Sequence, residues 1–246
     1  MTRLSVNLNK VALLRNSRHT GVPDPVRFAA LVHAAGADGV TLHPRPDERH
    51  VRRTDVEAIT VAIAAWRPRF ELNLEGYPDE RFLEIVRAAR PEQVTLVPDA
   101  PDVFTSDAGW RLDATQREVV RWFIAEVKDL GARVILFCDP DAASATRLAD
   151  MEVQGIEIYT GRYAHAHRLG RPAEALDGCV AAAEAAHARG LMVNAGHDLN
   201  THNLPPLVKR VPWLHEVSIG HELTADALEI GMAAAIDAYK AALARG

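Results

Sequence analysis

Side chains suited to acid–base chemistry recur along this chain at the ends of short apolar runs. His43 and His197 each follow such a run, and Glu75 ends a third one. Histidine and glutamate in one water-poor pocket can accept and donate protons near neutral pH. Two histidines and a carboxylate can instead hold a divalent metal ion, and a single buried histidine is often only structural. Three such residues in the same kind of position favour a functional role.

The elements that precede these residues must bring them together. The apolar runs are rich in Val, Ile, Leu and Phe, which is typical of strands buried on both faces of a parallel sheet. Amphipathic, Ala-rich stretches lie between the runs, and their periodicity predicts helices. We place these helices at Pro25–Ala35, Thr54–Ala65, Asp79–Ala89, Asp113–Leu130, Asp141–Met151, Ala173–Arg189 and Ala225–Leu243.

Strands that alternate with helices over 246 residues predict an α/β fold, the (β/α)8 TIM barrel, which typically takes about 250 residues. No linker or low-complexity tract divides the chain, so we expect residues 1–246 to form a single domain. The carboxyl ends of all barrel strands converge on one mouth, where the active site lies. The histidines and carboxylates are therefore expected to line one cavity.

Composition argues against several classes of protein. The net charge is −5 with neutral histidines, so nothing in the overall charge indicates nucleic-acid binding. The chain has no signal-peptide pattern and no apolar stretch of membrane length, which predicts a cytoplasmic protein with no membrane contact. Cys138 and Cys179 show neither disulfide nor metal-site spacing, and we expect both to be reduced packing residues.

Two groups of residues indicate binding of small anions. The segments after the seventh and eighth predicted strands contain Gly196-His197 and Gly220-His221, and barrels of this type often bind phosphate there through backbone N–H groups. A basic cluster near the first two strands consists of Lys10, Arg15, Arg18, Arg45, Arg49, His50, Arg52 and Arg53. Of these, Arg52 and Arg53 fit the solvated start of a helix. A basic mouth on an acidic chain predicts small phosphorylated substrates.

Two connections are long for β/α units. They span Pro98–Arg111 and Thr160–Pro172, and each follows a predicted strand. Long loops on the catalytic face often act as lids, although an insertion packed on a neighbouring subunit is the alternative. We expect His165 and His167 to lie in the second loop.

The ordered motifs resemble the PdxJ family, the pyridoxine 5'-phosphate synthases of vitamin B6 biosynthesis. The resemblance extends over essentially the whole chain. It is carried by VNLNKVALLRNSR (6–18), PDPV (23–26), GADGVTLHPRPDERHV (36–51), NLE (73–75), LVPDAPDVFTSDAGW (96–110), EIYTGRYA (157–164), VNAGHDLN (193–200) and VSIGH (217–221).

This resemblance implies a barrel with additional helices that assembles into homo-oligomers, commonly octamers. It also implies a reaction in which 3-amino-2-oxopropyl phosphate condenses with 1-deoxy-D-xylulose 5-phosphate. The products are pyridoxine 5'-phosphate, inorganic phosphate and water. Neither a cofactor nor a metal ion takes part in the family's mechanism.

The resemblance also implies roles for individual residues. His43 and Glu75 match proton acceptors, His197 matches a proton donor, and Glu157 matches a residue that stabilises the transition state. The positions that match the aminoketone phosphate site are Asn7, Arg18, Gly220 and His221. The positions that match the deoxyxylulose phosphate site are Arg45, His50 and Thr105. The 98–111 connection matches the family's closing loop.

Three departures from the commoner family sequence concern the binding residues. Asn9-Lys10 replaces Asp-His, so a mobile point charge stands in place of an imidazole and the deoxyxylulose contacts can differ. Asp198 replaces a glycine, and its carboxylate would repel a phosphate unless it turned away. Asp99-Ala100 replaces Glu-Lys. We keep Asn9, Lys10 and Asp198 among the predicted substrate-binding residues.

Two other functions remain open from the sequence. A metal-dependent sugar-phosphate isomerase, epimerase or aldolase could use His43, Glu75 and His197 as ligands. A non-catalytic protein that binds phosphorylated metabolites could retain the barrel without turnover, but binding alone would not need these three residues together.

Overall fold

The computed structural model describes residues 1–99 and 108–246 and contains a closed barrel of eight parallel strands. The strands are β1 (Arg3–Asn7), β2 (Gly39–Leu42), β3 (Glu71–Gly76), β4 (Gln93–Leu96), β5 (Arg133–Cys138), β6 (Gly155–Tyr159), β7 (Met192–Gly196) and β8 (Glu216–Ile219). Each strand pairs with the next in the chain, and β8 pairs with β1 to close the barrel. The predicted TIM barrel is confirmed.

Helices connect the strands on the outside of the barrel. They are α1 (Asn9–Asn16), α2 (Pro25–Ala34), α3 (Arg53–Ala62), α4 (Glu80–Ala89), α5 (Ala114–Val127), α6 (Ala142–Ala149), α7 (Gly161–Arg168), α8 (Ala173–His187), α9 (Leu204–Arg210), α10 (His221–Ile230) and α11 (Met232–Leu243). A short 3-10 helix, Lys128–Leu130, follows α5. The part of the chain that the structure describes thus has two helices after each of β1, β6 and β8, in place of the usual single one.

Aspartates fix where several helices begin. Asp79, Asp113 and Asp141 each precede a helix and accept a hydrogen bond from the N–H three residues later, and Asp24 accepts from the N–H of Val26. Such a cap satisfies a backbone donor that the helix itself leaves free. These positions lie within a residue or two of the predicted helix starts.

Two expectations about helices are wrong. The 160–172 connection is not a long loop, because α7 occupies Gly161–Arg168 and contains His165 and His167. Its buried face consists of only Gly161, Tyr163 and Ala164, which is too few apolar positions to produce a recognisable helical periodicity. The predicted helix 225–243 is two helices, which meet at Gly231. This residue has φ 84° and ψ 152°, a conformation open essentially to glycine alone.

The inside of the barrel is polar. A hydroxyl or amide side chain occupies the interior in most strands, and the set is Ser5, Thr41, Asn73, Thr95, Asn194 and Ser218. All of them except Asn194, which donates to Gln93, are hydrogen-bonded to one another across strands, as Ser5 Oγ and Thr41 Oγ1 are at 2.7 Å. At the amino end, Glu71 forms ion pairs with both Arg3 and Arg133. The apolar core therefore lies between the barrel and its helices.

The remaining fold predictions concern the cysteines and the membrane. Cys138 at the end of β5 and Cys179 in α8 are both buried and free, as predicted. Within residues 1–99 and 108–246, no helix is long and apolar enough to cross a membrane.

Candidate active site

A cavity of about 310 Å³ opens at the carboxyl ends of the barrel strands. Its wall contains twelve of the fourteen residues predicted to take part in catalysis or binding. They are Asn7, Asn9, Lys10, His43, Arg45, His50, Glu75, Glu157, His197, Asp198, Gly220 and His221. Residues from six of the eight strand ends or the loops after them thus meet in one place.

Asn7 and Asn9 organise the first part of the site. Asn7 ends β1, and its side-chain oxygen accepts the N–H of Asn9 at 2.9 Å. The Asn9 side-chain oxygen accepts the N–H of His43 at 3.0 Å, and the Asn7 amide donates to Glu75 Oε2 at 3.3 Å. These bonds connect the ends of β1, β2 and β3. His43 Nδ1 consequently lies 3.8 Å from Glu75 Oε2.

The electrostatics of the cavity favour an uncharged carboxyl group near neutral pH. Burial, together with the nearby Asp99 carboxylate, raises the pKa of Glu75 to about 7. Burial and the Glu75 charge raise the pKa of Glu157 well above its usual value. A carboxyl group with a pKa near 7 can take up and release protons under physiological conditions. Glu75 is therefore matched to proton transfer.

The two histidines on the β2 side are held neutral. Burial and the adjacent His50 lower the pKa of His43 well below its usual value. Burial and the positive charge of Arg45 lower the pKa of His50 to about 4. His50 Nδ1 accepts the N–H of Val51 at 2.9 Å, so the proton of the neutral ring lies on Nε2. His43 is thus a neutral base beside Glu75.

Two aromatic rings hold His197. Its ring centroid lies 5.1 Å from that of Phe137 and 5.4 Å from that of Tyr159. His197 and Asp198 both adopt left-handed backbone conformations, with φ of 79° and 56°. Consecutive non-glycine residues of this kind are strained and cluster at functional sites. The backbone itself therefore helps to set the direction of the His197 side chain.

The cavity offers two electropositive regions. On one side, α10 begins at His221 directly after Gly220, and the N-terminus of a helix attracts anions through its free N–H groups. On the other side lie Lys10, Arg49 and Arg45. Arg45 is 3% exposed and contacts Asp99 Oδ2 through Nη1 at 3.2 Å. The wall can therefore accommodate two separate anionic groups.

A buried ion pair outside the cavity supports the loop that carries Arg45 and His50. Arg15 in α1 binds both oxygens of Asp55, the longer contact being 2.8 Å to Oδ2. Arg15 also donates to the backbone oxygen of His50 at 3.2 Å. Arg15 from the basic cluster is thus structural. Arg52 and Arg53 are exposed at the start of α3, as expected.

Arg18 and Thr105 are the other two predicted binding residues. Arg18 is exposed beyond the end of α1 and does not line the cavity. Thr105 and the central part of the 98–111 connection lie outside the described residues. The roles of Arg18 and Thr105 stay predictions.

Several residues that line the cavity were not expected from the sequence. Phe137 and Ser218 belong to β5 and β8, and Arg49, assigned only to the basic cluster, also reaches the wall. Alternation along a strand could have identified Ser218, because it lies two residues before Gly220. Residue type does not distinguish Arg49 from Arg18, but their places differ, because Arg49 follows β2 through a loop and Arg18 lies beyond the end of α1.

The site does not present a ready set of metal ligands. Within the two described ranges, no group of three or more His, Cys, Asp or Glu side chains has the geometry to hold a metal ion. His43, Glu75 and His197 share the cavity, but they are not arranged as a triad of ligands.

A closed parallel barrel with buried titratable side chains and two electropositive regions at its carboxyl end defines the class of TIM-barrel enzymes. The sequence matches the family described as "Pyridoxal phosphate biosynthesis protein PdxJ" over residues 4–245. The chain belongs to the PdxJ family, and the resemblance noted in its motifs is confirmed.

Two relatives match the chain over nearly its full length. A pyridoxine 5'-phosphate synthase from Brucella anthropi is 49% identical over 245 residues, which cover 98% of this chain and 99% of that protein. A pyridoxine 5'-phosphate synthase from Porphyromonas gingivalis is 46% identical over 244 residues, covering 99% of this chain and all of the relative.

Solved structures support the fold. A 3-keto-L-gulonate-6-phosphate decarboxylase from Vibrio cholerae has a TM-score of 0.65 at 12% identity, covering 99% of this chain and 98% of that one. A phosphoribosyl anthranilate isomerase from Thermotoga maritima has a TM-score of 0.61 at 13% identity, with the same coverage. At these identities the likeness concerns the barrel and not the reaction.

Proposed function

We propose that this protein is a pyridoxine 5'-phosphate synthase, which condenses 3-amino-2-oxopropyl phosphate with 1-deoxy-D-xylulose 5-phosphate. The observation that carries the proposal is the pairing of His43 with Glu75, 3.8 Å apart, in a cavity with two separate electropositive regions. Each substrate brings one phosphate group, so two regions match two substrates. Full-length relatives with this name add support.

The cavity suits the order of bond changes in this condensation. The amine of one substrate attacks the ketone of the other, and protons must then move as water and phosphate leave and the ring closes. Glu75, with a pKa raised to about 7 by burial and by Asp99, accepts a proton from carbon or nitrogen and can return it later. Neutral His43 serves as a second acceptor next to it.

His197 and Glu157 act from the opposite side of the barrel mouth. His197 projects from the turn after β7 between Phe137 and Tyr159, where it can protonate a departing hydroxyl. Glu157 is 2% exposed, and burial together with the Glu75 charge raises its pKa. A protonated Glu157 would donate a hydrogen bond to oxygen that gains negative charge in the transition state.

The two phosphates are assigned to opposite sides of the cavity. We place the aminoketone phosphate at Gly220, His221 and the Asp198 backbone, where the start of α10 faces the cavity. Arg45, His50 and Lys10 take the deoxyxylulose phosphate. Holding both substrates in register supplies much of the rate advantage in a condensation.

The assembly and location of the protein are part of the same proposal. We infer one domain over residues 1–246, a cytoplasmic location and a homo-oligomer, with the octamer common in the family. Exposed apolar side chains support an oligomer, since Leu13 and Leu14 of α1 and Leu31 of α2 face solvent in the single chain. Association would remove this apolar area from water.

The test is product formation from the two substrates by purified protein, with and without EDTA. Pyridoxine 5'-phosphate and inorganic phosphate should appear together in equal amounts, and EDTA should leave the rate unchanged. Loss of the rate with EDTA and its return with a divalent metal would favour metal-dependent chemistry. Binding of either substrate without any product would favour the non-catalytic alternative.

A further inference from the structure

The turn that carries His197 is held by two buried side chains that the catalytic assignment leaves without a role. They are Thr160, between β6 and α7, and Asn203, before α9, and each is fully buried. Both contact the backbone of the turn and neither lines the cavity. Their contacts explain how two consecutive strained residues keep one conformation.

Thr160 binds the first two carbonyl groups of the turn. Its hydroxyl Oγ1 lies 2.5 Å from the backbone oxygen of Gly196 and 2.6 Å from that of His197. A threonine hydroxyl has a single hydrogen, so the two carbonyls share it. The N–H of Thr160 also donates to Gly196 O at 2.9 Å. The end of β7 is therefore tied to the end of β6 by three contacts.

The position of Thr160 in the chain favours a different hydrogen bond from the two that its hydroxyl makes. Thr160 is the residue before the first turn of α7, where threonine usually accepts a hydrogen bond from the helix backbone. Its side chain makes no such cap. The hydroxyl is diverted from the helix to the turn, so local helix stability does not account for the contact.

Asn203 holds the third carbonyl group. Its amide Nδ2 donates to the backbone oxygen of Asp198 at 3.1 Å, and its Oδ1 accepts the N–H of Asn200 at 2.8 Å. The hydroxyl of buried Tyr163 donates to the backbone oxygen of Asn203 at 2.7 Å. The carbonyls of residues 196, 197 and 198 all point into the protein as a result.

The direction of these carbonyls fixes what the turn presents to the cavity. In a trans peptide the N–H points opposite to the C=O. With the His197 carbonyl directed at buried Thr160, the N–H of Asp198 points away from Thr160. His197 and Asp198 line the cavity, so this is the direction of the substrates.

We infer that Thr160 is a positioning residue, whose hydroxyl locks the left-handed turn that aims His197 and the Asp198 N–H at the substrates. This inference rests on the proposed function for the identity of those substrates. Thr160 does not touch them and acts through the turn. Asn203 supports the same turn from its other end.

The experiment compares Thr160→Val, which replaces the hydroxyl by a methyl group, with Thr160→Ser, which keeps the hydroxyl. Thr160→Val should lower kcat by about 10- to 100-fold, because a displacement of about 1 Å in a catalytic group has effects of this size. It should raise KM for the aminoketone phosphate and leave KM for the deoxyxylulose phosphate within about twofold. Thr160→Ser should restore kcat to within about threefold of the original value.

A matched control comes from the other end of the barrel. Thr2 is buried, and its hydroxyl donates to the backbone oxygen of Leu214 at 2.9 Å. Thr2→Val should lower the melting temperature without lowering kcat. If Thr160→Val does not fold, Thr160→Ala replaces it in the assay, because alanine ends at Cβ and places no γ-methyl group against the carbonyls.

Three outcomes would overturn the inference. They are a kcat for Thr160→Val close to the original, a Thr160→Ser variant as impaired as Thr160→Val, and a loss of kcat in Thr2→Val equal to that in Thr160→Val. If the unaltered protein formed no product, the proposed function would fail separately. A crystal structure of Thr160→Val would then decide, since an unchanged turn at His197 and Asp198 contradicts the role and a changed turn supports it.

Discussion

Glu75 and its neighbours determine how the reaction responds to pH. Glu75 has a carboxylate neighbour, Asp99, and accepts a hydrogen bond from the Asn7 amide at 3.3 Å. Burial and Asp99 raise the pKa of Glu75 to about 7. A proton acceptor must be ionised, so kcat should fall as the pH is lowered through about 7.

The Asp99→Asn variant tests the cause of this pH dependence. It removes a negative charge that raises the pKa of Glu75, so the acid limb of kcat should move to lower pH. The substrate phosphates also titrate in this range, but they affect the pH profiles of both proteins equally, so the difference between the profiles does not contain their effect. Measuring kcat with both substrates saturating separates this effect from weaker binding through Arg45. A limb that stays in place or moves to higher pH would exclude Asp99 as the cause.

At the residue scale, strand-end position was a strong predictor of which side chains meet. His43, Glu75, Glu157 and His197 come from four different strand ends and line the same cavity. The indirect roles were not predictable, because Thr160 acts through backbone oxygens 36 and 37 residues away. Sequence spacing does not indicate that the Thr160 hydroxyl binds carbonyl groups at the end of β7 and does not cap α7.

At the scale of elements, the end of β7 is the most constrained part of the site. The Gly196 carbonyl accepts a hydrogen bond from the Thr160 hydroxyl. A Cβ added to Gly196 would overlap Glu157 Oε1. Thr160 is fully buried and Glu157 is 2% exposed, so the Glu157 carboxyl group could move only toward the cavity that it lines. Glycine at this position therefore keeps the Glu157 carboxyl group in its place, and it is not required by a positive φ.

Gly196→Ala should reduce kcat by at least about 10-fold, because the methyl group must displace Glu157 or the turn that follows. Steady-state turnover with both substrates is the measurement. Gly170→Ala is the control, since Gly170 has φ 72° and open space around it, so it should lose stability and keep kcat. Equal turnover in Gly196→Ala and the unaltered protein would mean that Glu157 can move without cost.

The helices show why some elements could be predicted and others not. The helices that begin after Asp79, Asp113 and Asp141 have caps and clear apolar faces, and their positions follow from sequence. The α7 helix has a short buried face and an uncapped start, so it resembles a loop in sequence. Gly231 lies in an otherwise helical pattern, and only its backbone angles separate α10 from α11.

At the scale of the whole molecule, the polar barrel interior connects the two ends of the fold. Polar residues occur within most strand runs, as Thr41, Asn73 and Thr95 do, and they are bonded to one another. At the amino end, Gln93 donates to Glu216 Oε1 at 3.0 Å. Apolar runs correctly predicted the strands, but this interior network depends on which strands lie side by side in the closed barrel.

Glu216 should make stability depend on pH. Burial and the Glu71 charge raise the pKa of Glu216 to about 7, above the ordinary value of 4.5. The folded protein therefore binds more protons than the unfolded chain between these values, and the contribution of Glu216 to stability falls as the pH rises through this window. The free energy of unfolding of Glu216→Gln, relative to that of the unaltered protein, should rise by roughly 3 kcal/mol between pH 4.5 and pH 8.

Denaturant unfolding at both pH values checks this prediction. Glu229→Gln is the control, because Glu229 is exposed on α10, and its difference from the unaltered protein should be the same at both values. A Glu216→Gln difference that is equally independent of pH would show that Glu216 does not titrate in this window.

The central claim is that the cavity around Glu75 carries out the condensation to pyridoxine 5'-phosphate. The most direct measurement is kcat for pyridoxine 5'-phosphate formation by the unaltered protein and by Glu75→Gln, which keeps the shape and the Asn7 contact but cannot accept the proton. We expect steady product formation by the unaltered protein, and a kcat lowered by about 10²- to 10⁴-fold in a variant that remains folded. Near-normal turnover in Glu75→Gln would contradict it.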